Sequence, residues 1–157
     1  MKYEIDRIDR HILRCLQQDN RISNQKLAEE VGLSPPACLR RVRKLREEGV
    51  IMADVSLINP RMIGQSLNII VEVEMGRDSI DVHDNFMRKM QQAAEVTQCY
   101  QVTGEIDFVL VIVVRDMEAY ESFARRELAS DPNLRKFRSL ISLRRNKFST
   151  QLDVDQL

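Results

Sequence analysis

Histidine and cysteine are scarce in this chain: two of the first, His11 and His83, and three of the second, Cys15, Cys38 and Cys99, in 157 residues. The cysteines are odd in number and far apart. They make neither a disulfide framework nor the paired spacing of a zinc site, so a reducing, cytoplasmic setting is expected, with no metal and no cofactor. The histidines fall on separate predicted helices, no Ser or Cys sits in a nucleophile motif, and there is no phosphate loop, all of which argues against an enzyme. His11 and Cys15 share i, i+4 spacing, but Cys15 lies on an apolar stripe. A core thiol beside a boundary histidine accounts for that pair better than a metal does. No apolar run reaches the roughly 20 residues that span a bilayer, and no signal-peptide core is seen. Net charge is missing too: 24 Lys and Arg balance 24 Asp and Glu. That excludes a general polybasic binder and leaves room for a local basic face.

The charge is not evenly spread. Residues 1–60 carry 11 Lys and Arg against 9 Asp and Glu, and residues 61–157 carry 13 against 15. The sign is the one expected if only the first part meets phosphate. The hydrophobic period changes at the same place, where Asn59-Pro60 reads as a hinge. Two domains are therefore expected, over residues 1–60 and 61–157.

The first domain reads as helices. Asp6 can cap a helix with Ile8, Ile12, Cys15 and Leu16 on one stripe, ending near Asp19-Asn20. Ser23 caps a short helix containing Leu27, Ala28 and Val31, with Ile22 and Leu27 placed as a hydrophobic staple and Gly32 as its stop. Ser34 caps a third helix with Pro35 at its first position, a core face of Cys38, Leu39, Val42 and Leu45, and Gly49 at its end. Residues 50–58 look like a strand or wing.

The second domain alternates strands and helices. Leu67, Ile69, Val71, Val73 and Met75 recur with period two. Val82, Phe86 and Met90 mark a helix, Val96 to Thr103 a strand, and Phe108 to Val114 an unbroken apolar strand. Met117, Tyr120, Ala124 and Leu128 mark a second helix, and Phe137 to Leu143 a last strand. The order β-α-β-β-α-β is that of the ferredoxin-like fold, so the class is α+β, a winged helix-turn-helix followed by a ferredoxin-like domain. A strand apolar on both faces implies that both are covered. The economical cover is a second copy of the sheet, so a homodimer is expected.

Two short helices joined by Val31-Gly32-Leu33-Ser34 make a helix-turn-helix whose third helix would enter the major groove of double-stranded DNA. Ser34, Pro36 and Ala37 lie at its leading end. Arg40 and Arg41 are the candidates for reading guanine through bidentate hydrogen bonds. Arg43, Lys44 and Arg46 are expected to hold phosphate, which positions without reading sequence. The bland alternative is a solvated helix face that happens to be rich in arginine.

These segments resemble the Lrp/AsnC (feast/famine) family of transcription regulators over essentially the whole chain. The resemblance rests on Ile5-Asp6-Arg7-Ile8-Asp9-Arg10-His11-Ile12-Leu13, on Arg21-Ile22-Ser23-Asn24, on the run from Val31 to Val42, and on Val102-Thr103-Gly104-Glu105-Ile106-Asp107-Phe108. It looks closest to the leucine-responsive side of that family. The resemblance implies dimers that assemble further, often into octamers, and amino acids or related metabolites as effectors bound between C-terminal domains. It places Gly104 and Asp107 in the effector pocket, with Thr103 and Glu105 as neighbours. Asp107 would take an ammonium, Gly104 would let the ligand approach backbone N–H groups, and Thr103 adds a hydroxyl. The plain reading of the same residues is a hairpin turn with solvated acids. Ser149-Thr150-Gln151 resembles a segment that can approach the pocket, while Asp153-Val154-Asp155 departs from the family's usual ending. Two rival readings stay open: an effector-independent architectural DNA-binding protein, and a sirohaem-decarboxylase-like enzyme on the same fold. The second lacks any need for a basic helix.

Overall fold

The computed structural model describes residues 3–77 and 79–155. It divides into two compact units, one made of Met1–Leu57 with Lys147–Leu157, the other of Ile58–Asn146.

Three helices build the first unit. In α1 (Arg7–Gln18) the Asp6 carboxylate accepts the Asp9 N–H at 2.8 Å, and the Asp9 carboxylate accepts the Asp6 N–H at 3.3 Å, a reciprocal capping box. In α2 (Asn24–Val31) the Ser23 hydroxyl accepts the Lys26 N–H, and Gly32 at φ +70° supplies the left-handed stop. At the head of α3 (Pro35–Glu47), Ser34 has cap backbone geometry but its hydroxyl accepts no capping bond. Pro35 and Pro36 have no N–H to satisfy, so a side-chain cap has less to offer there. Asn24 fastens the turn instead, donating from Nδ2 to the Pro35 carbonyl at 2.8 Å.

Ile12, Leu13, Leu27, Ala28, Val31, Cys38, Val42 and Leu45 form the unit's core. Leu39, expected on that face, is exposed, because it sits about 100° round the helix from Cys38. The core also holds one acid. Asp9 is 1 % exposed and accepts hydrogen bonds from the Tyr3 hydroxyl at 2.8 Å and from Arg41 Nη1 at 2.9 Å. Arg41 also reaches Asp6 at 2.7 Å. Burial, then the bond to Asp9, pushes the Tyr3 phenol up to about 12.

Two expectations fail here. Residues 50–58 form no strand: Val50 and Ile51 pack on the helical core, while Met52, Val55, Leu57 and Ile58 are exposed. A strand needs a partner ladder, and no described segment provides one. The C-terminal segment, expected within the second domain at residues 61–157, groups with the first unit. The Gln17 side-chain amide accepts the Leu152 N–H at 2.7 Å and donates to the Leu152 carbonyl at 3.1 Å, Arg14 pairs with Asp155, and Val154 packs on the core. An apolar side chain between two acids is what that site selects: the valine goes in and Asp155 meets a cation.

The second unit is a four-stranded antiparallel sheet of order β2-β3-β1-β4, with β1 (Leu67–Met75), β2 (Val96–Gln101), β3 (Phe108–Val114) and β4 (Leu134–Ile141). β4 starts and ends earlier than its apolar residues suggest. Between β1 and β2 runs α4 (Ile80–Gln92), and between β3 and β4 runs α5 (Met117–Phe123), continued by a π-helical turn over Ala124–Ala129. Ile69, Val71, Val73, Phe108, Leu110 and Ile112 point to one face, where Phe86, Met90, Phe123 and Leu128 cover them. The opposite face carries Ile70, Tyr100 and Leu140, which are exposed, and Val109, Val111 and Val113, which are half-buried, so the described residues leave it partly uncovered. This is the ferredoxin-like arrangement expected from the order of elements.

Replacing Arg41 by Met should cost about 2–4 kcal/mol, because it leaves Asp9 buried without its cation; the fall in thermal midpoint by circular dichroism measures it. Burial opposes ionisation of Asp6, yet the Asp9 N–H and the Arg41 guanidinium outweigh it and hold the carboxyl below its ordinary value. The stability this contributes is present above the ordinary aspartate range and is lost as pH falls towards the depressed value. The thermal midpoint should therefore drop below about pH 4 in the wild type, and drop less in the Arg41 variant. Truncation after Thr150 should raise amide exchange in α1 and leave that in β3 unchanged.

Candidate DNA-reading face and effector turn

On α3 the core stripe of Cys38, Val42 and Leu45 fixes what is left outside. Pro36, Arg40 and Arg43 lie on the opposite side and are exposed, and no ion pair holds either arginine among the described residues. Ser34 is exposed with a free-standing cap position, and Ala37 is half-buried beside it. Lys44 is exposed with its ammonium 4.8 Å from the centre of the Tyr3 ring. These residues form one surface of small side chains at the helix head and cations further along.

Arg41 does not belong to it. Its guanidinium turns to Asp6 and Asp9, whose carboxylates raise its own affinity for the proton. The expectation that Arg41 reads guanine is corrected: it is a structural arginine, spent on a buried acid. Arg46, expected on phosphate, is paired with Asp54 at 3.0 Å. Position along the chain could have separated the two arginines. Asp9 stands three residues before Ile12 and four before Leu13, so it lies on the buried stripe of α1, and an acid there requires a partner.

The effector turn is closed by the Val102 N–H donating to the Asp107 carbonyl at 2.9 Å. Gly104 has φ +124°, a conformation open to glycine and costly for any side chain. Thr103, Gly104 and Glu105 are exposed, and Asp107 keeps 31 % of its side chain exposed. Its carboxylate is already engaged: Oδ2 accepts the Met75 N–H at 2.6 Å, and Oδ1 faces Nε2 of His83 across 3.8 Å. Glu105 points to different company. With Glu72, Glu74, Lys136 and Arg138 it lines a cleft of about 450 Å³. Within it, Arg138 pairs with Glu72 at 2.7 Å, and beside it Arg135 pairs with Glu74 at 2.7 Å. Among the residues lining this cleft are Glu105 and Ile106, but not Thr103, Gly104 or Asp107. Lys136, Arg138 and His83 were not singled out from the sequence. The strand register that sets the two cations beside Glu72 and Glu74 is a long-range fact.

Comparison with known proteins bears on the two domains that carry these residues. Residues 5–52 match a model of a winged helix-turn-helix DNA-binding domain, and residues 68–152 match the Lrp/AsnC ligand binding domain. The leucine-responsive regulatory protein of Escherichia coli is 38 % identical over 151 residues, covering 96 % of this chain and 92 % of its own. A crystal structure of an AsnC family transcriptional regulator from Agrobacterium tumefaciens superposes with a TM-score of 0.91 at 34 % identity, over 97 % of this chain and 99 % of that one. A transcriptional regulator of Neisseria meningitidis, solved as a complex with L-Met, does so with a TM-score of 0.90 at 30 % identity, over 98 % and 99 %. A helix-turn-helix with its cationic face outward, joined to a ferredoxin-like unit that matches over its length, places the chain in the Lrp/AsnC family of transcriptional regulators.

Proposed function

We infer that the chain binds operator DNA as a homodimer and that an amino acid or related metabolite modulates this binding. The observation that carries the reading is the outward pair Arg40 and Arg43 on a helix whose other side is the core of its unit. A guanidinium with no internal partner can form the bidentate bond to guanine O6 and N7. Arg40 is the base reader. It stands one turn from the helix head, next to Pro36 and Ala37, which are small enough to let the duplex close in. Arg43 and Lys44 hold phosphate. Ser34 adds a hydroxyl at the helix head.

The dimer is supported by the uncovered sheet face of Ile70, Val109, Val111, Val113, Tyr100 and Leu140. A contiguous apolar surface of that kind is unusual on a monomer. The exposed apolar side chains of residues 50–58 offer a second strip for a partner copy. Two half-sites about one helical turn apart would then be read together. Such a regulator works on nucleoid DNA in the cytoplasm. For the effector, Asp107 supplies the carboxylate that an ammonium requires, and the relative solved with L-Met supports an amino acid as ligand.

Arg40→Ala should weaken binding to a selected operator by about 1–3 kcal/mol and relax base preference at one position of each half-site. Arg43→Ala should weaken all sequences alike and reduce the salt slope. Fluorescence anisotropy on operator and scrambled duplexes, at several salt concentrations, reads both. Unchanged sequence preference in the Arg40 variant would remove the reading. Val111→Lys, on the uncovered face, should give monomers by analytical ultracentrifugation and lose most operator affinity.

A further inference from the structure

His83 is the fourth residue of α4, and its side chain is only 10 % exposed. A buried imidazole needs both ring nitrogens matched. Nδ1 lies 3.3 Å from Nε2 of Gln101 on β2. With the amide NH₂ turned to the ring, Nδ1 accepts, and the ring proton is assigned to Nε2. That nitrogen is buried and has no hydrogen-bond partner among the described residues. What it faces is Asp107 Oδ1, 3.8 Å away. The ring is held edge-on to Phe108, with centroids 5.3 Å apart.

The charged group facing this ring is Asp107, on the turn. From β2 comes the neutral amide of Gln101, from β3 the phenyl ring of Phe108, and from β1 the Met75 N–H, which goes to the same carboxylate. Gln101 and Asp107 thus face the two nitrogens of the His83 ring, from β2 and from the turn.

We propose that His83 is a positioning residue for the effector: it acts through Asp107, orienting the carboxylate that a ligand ammonium would meet. This rests on Asp107 being the residue that meets the effector. The ring N–H at Nε2 steers Oδ1 and leaves the carboxylate's negative charge to the ligand, so removing the ring nitrogens weakens effector binding.

The experiment uses the full-length wild type, H83F and D107N. H83F keeps a ring against Phe108 and removes the nitrogens. Long-range proton–nitrogen NMR of the two histidines, with His83 assigned by its loss in H83F, should show a protonated Nε2 and a bare Nδ1 at pH 8. The His83 Nε2 resonance should move when Asp107 becomes Asn. The Nδ1–H form, or a resonance indifferent to D107N, overturns the proposal whether or not a ligand binds. Calorimetry with L-methionine at pH 8 should then show affinity on the order of tenfold weaker in H83F than in the wild type. Equal affinity in the two overturns the positioning role. L-methionine binding that survives D107N at pH 8 overturns the effector reading itself, a result separate from the ring measurement.

Discussion

Asp9 is an acid on an apolar stripe, and an acid in that place needs a cation within reach or it would not stay charged. Arg41 answers that need from the border of α3, with the Tyr3 hydroxyl taking a further hydrogen bond. The pairing does more than neutralise a charge. It joins α1 to α3 at a fixed rotation of the third helix, because a guanidinium held by two carboxylates has little angular freedom. With Arg41 turned inward and Cys38, Val42 and Leu45 in the core, Arg40 and Arg43 have to face outward. The surface proposed to read DNA is what remains after the buried acid has been satisfied.

In the second unit the corresponding constraint is the central place of β1. It pairs with β3 on one side and β4 on the other, so its alternation sets both neighbours. Ile69, Val71 and Val73 face the helices, and Ile70, Glu72 and Glu74 face away. The outer row is mixed. Its apolar member, Ile70, joins Val109, Val111, Val113 and Leu140, while its acids meet Arg135 and Arg138. One sheet face therefore has an apolar part suited to a second copy and a charged part at the end where Glu105 stands.

Much of this was legible in the sequence, for physical reasons that also mark the failures. Caps such as Ser23 and Asp6, and the stop at Gly32, are local signals, and helices α1 to α3 follow them closely. The alternation in β1 and the apolar run of β3 are local as well. Residues 50–58 have strand-like composition, but pairing is a property of two segments, and no second one is found among the described residues. Arg41 looked like its neighbour Arg40 because both are arginines on a basic helix. Only Asp9, 32 positions earlier, distinguishes them. Val154 between two acids gave no period to read, and its packing on the first unit depends on a docking site formed by α1. His83 fell on a predicted helix with nothing in sequence to point it at Asp107, 24 positions on.

The chain passes between its two units twice, at residues 57–58 and 146–147. Both passages leave the second unit from the same end of the same strand pair. Ile69 lies opposite Ile141, and the Ser142 N–H donates to the Asn68 carbonyl at 2.9 Å. The effector turn is at the other end of β1, where Asp107 bonds Val73 and Met75. Asn68 and Met75 are separated by about 23 Å of extended strand. A ligand changes DNA binding only through unequal affinity for two states, and a strand paired on both edges does not have two arrangements to choose between. On the proposed dimer, the element that does is the association of two copies across the face that Ile70, Val109 and Val111 share with the Glu105 cleft. On the proposed assembly and effector site, an effector at the turn acts by favouring one mode of that contact over another.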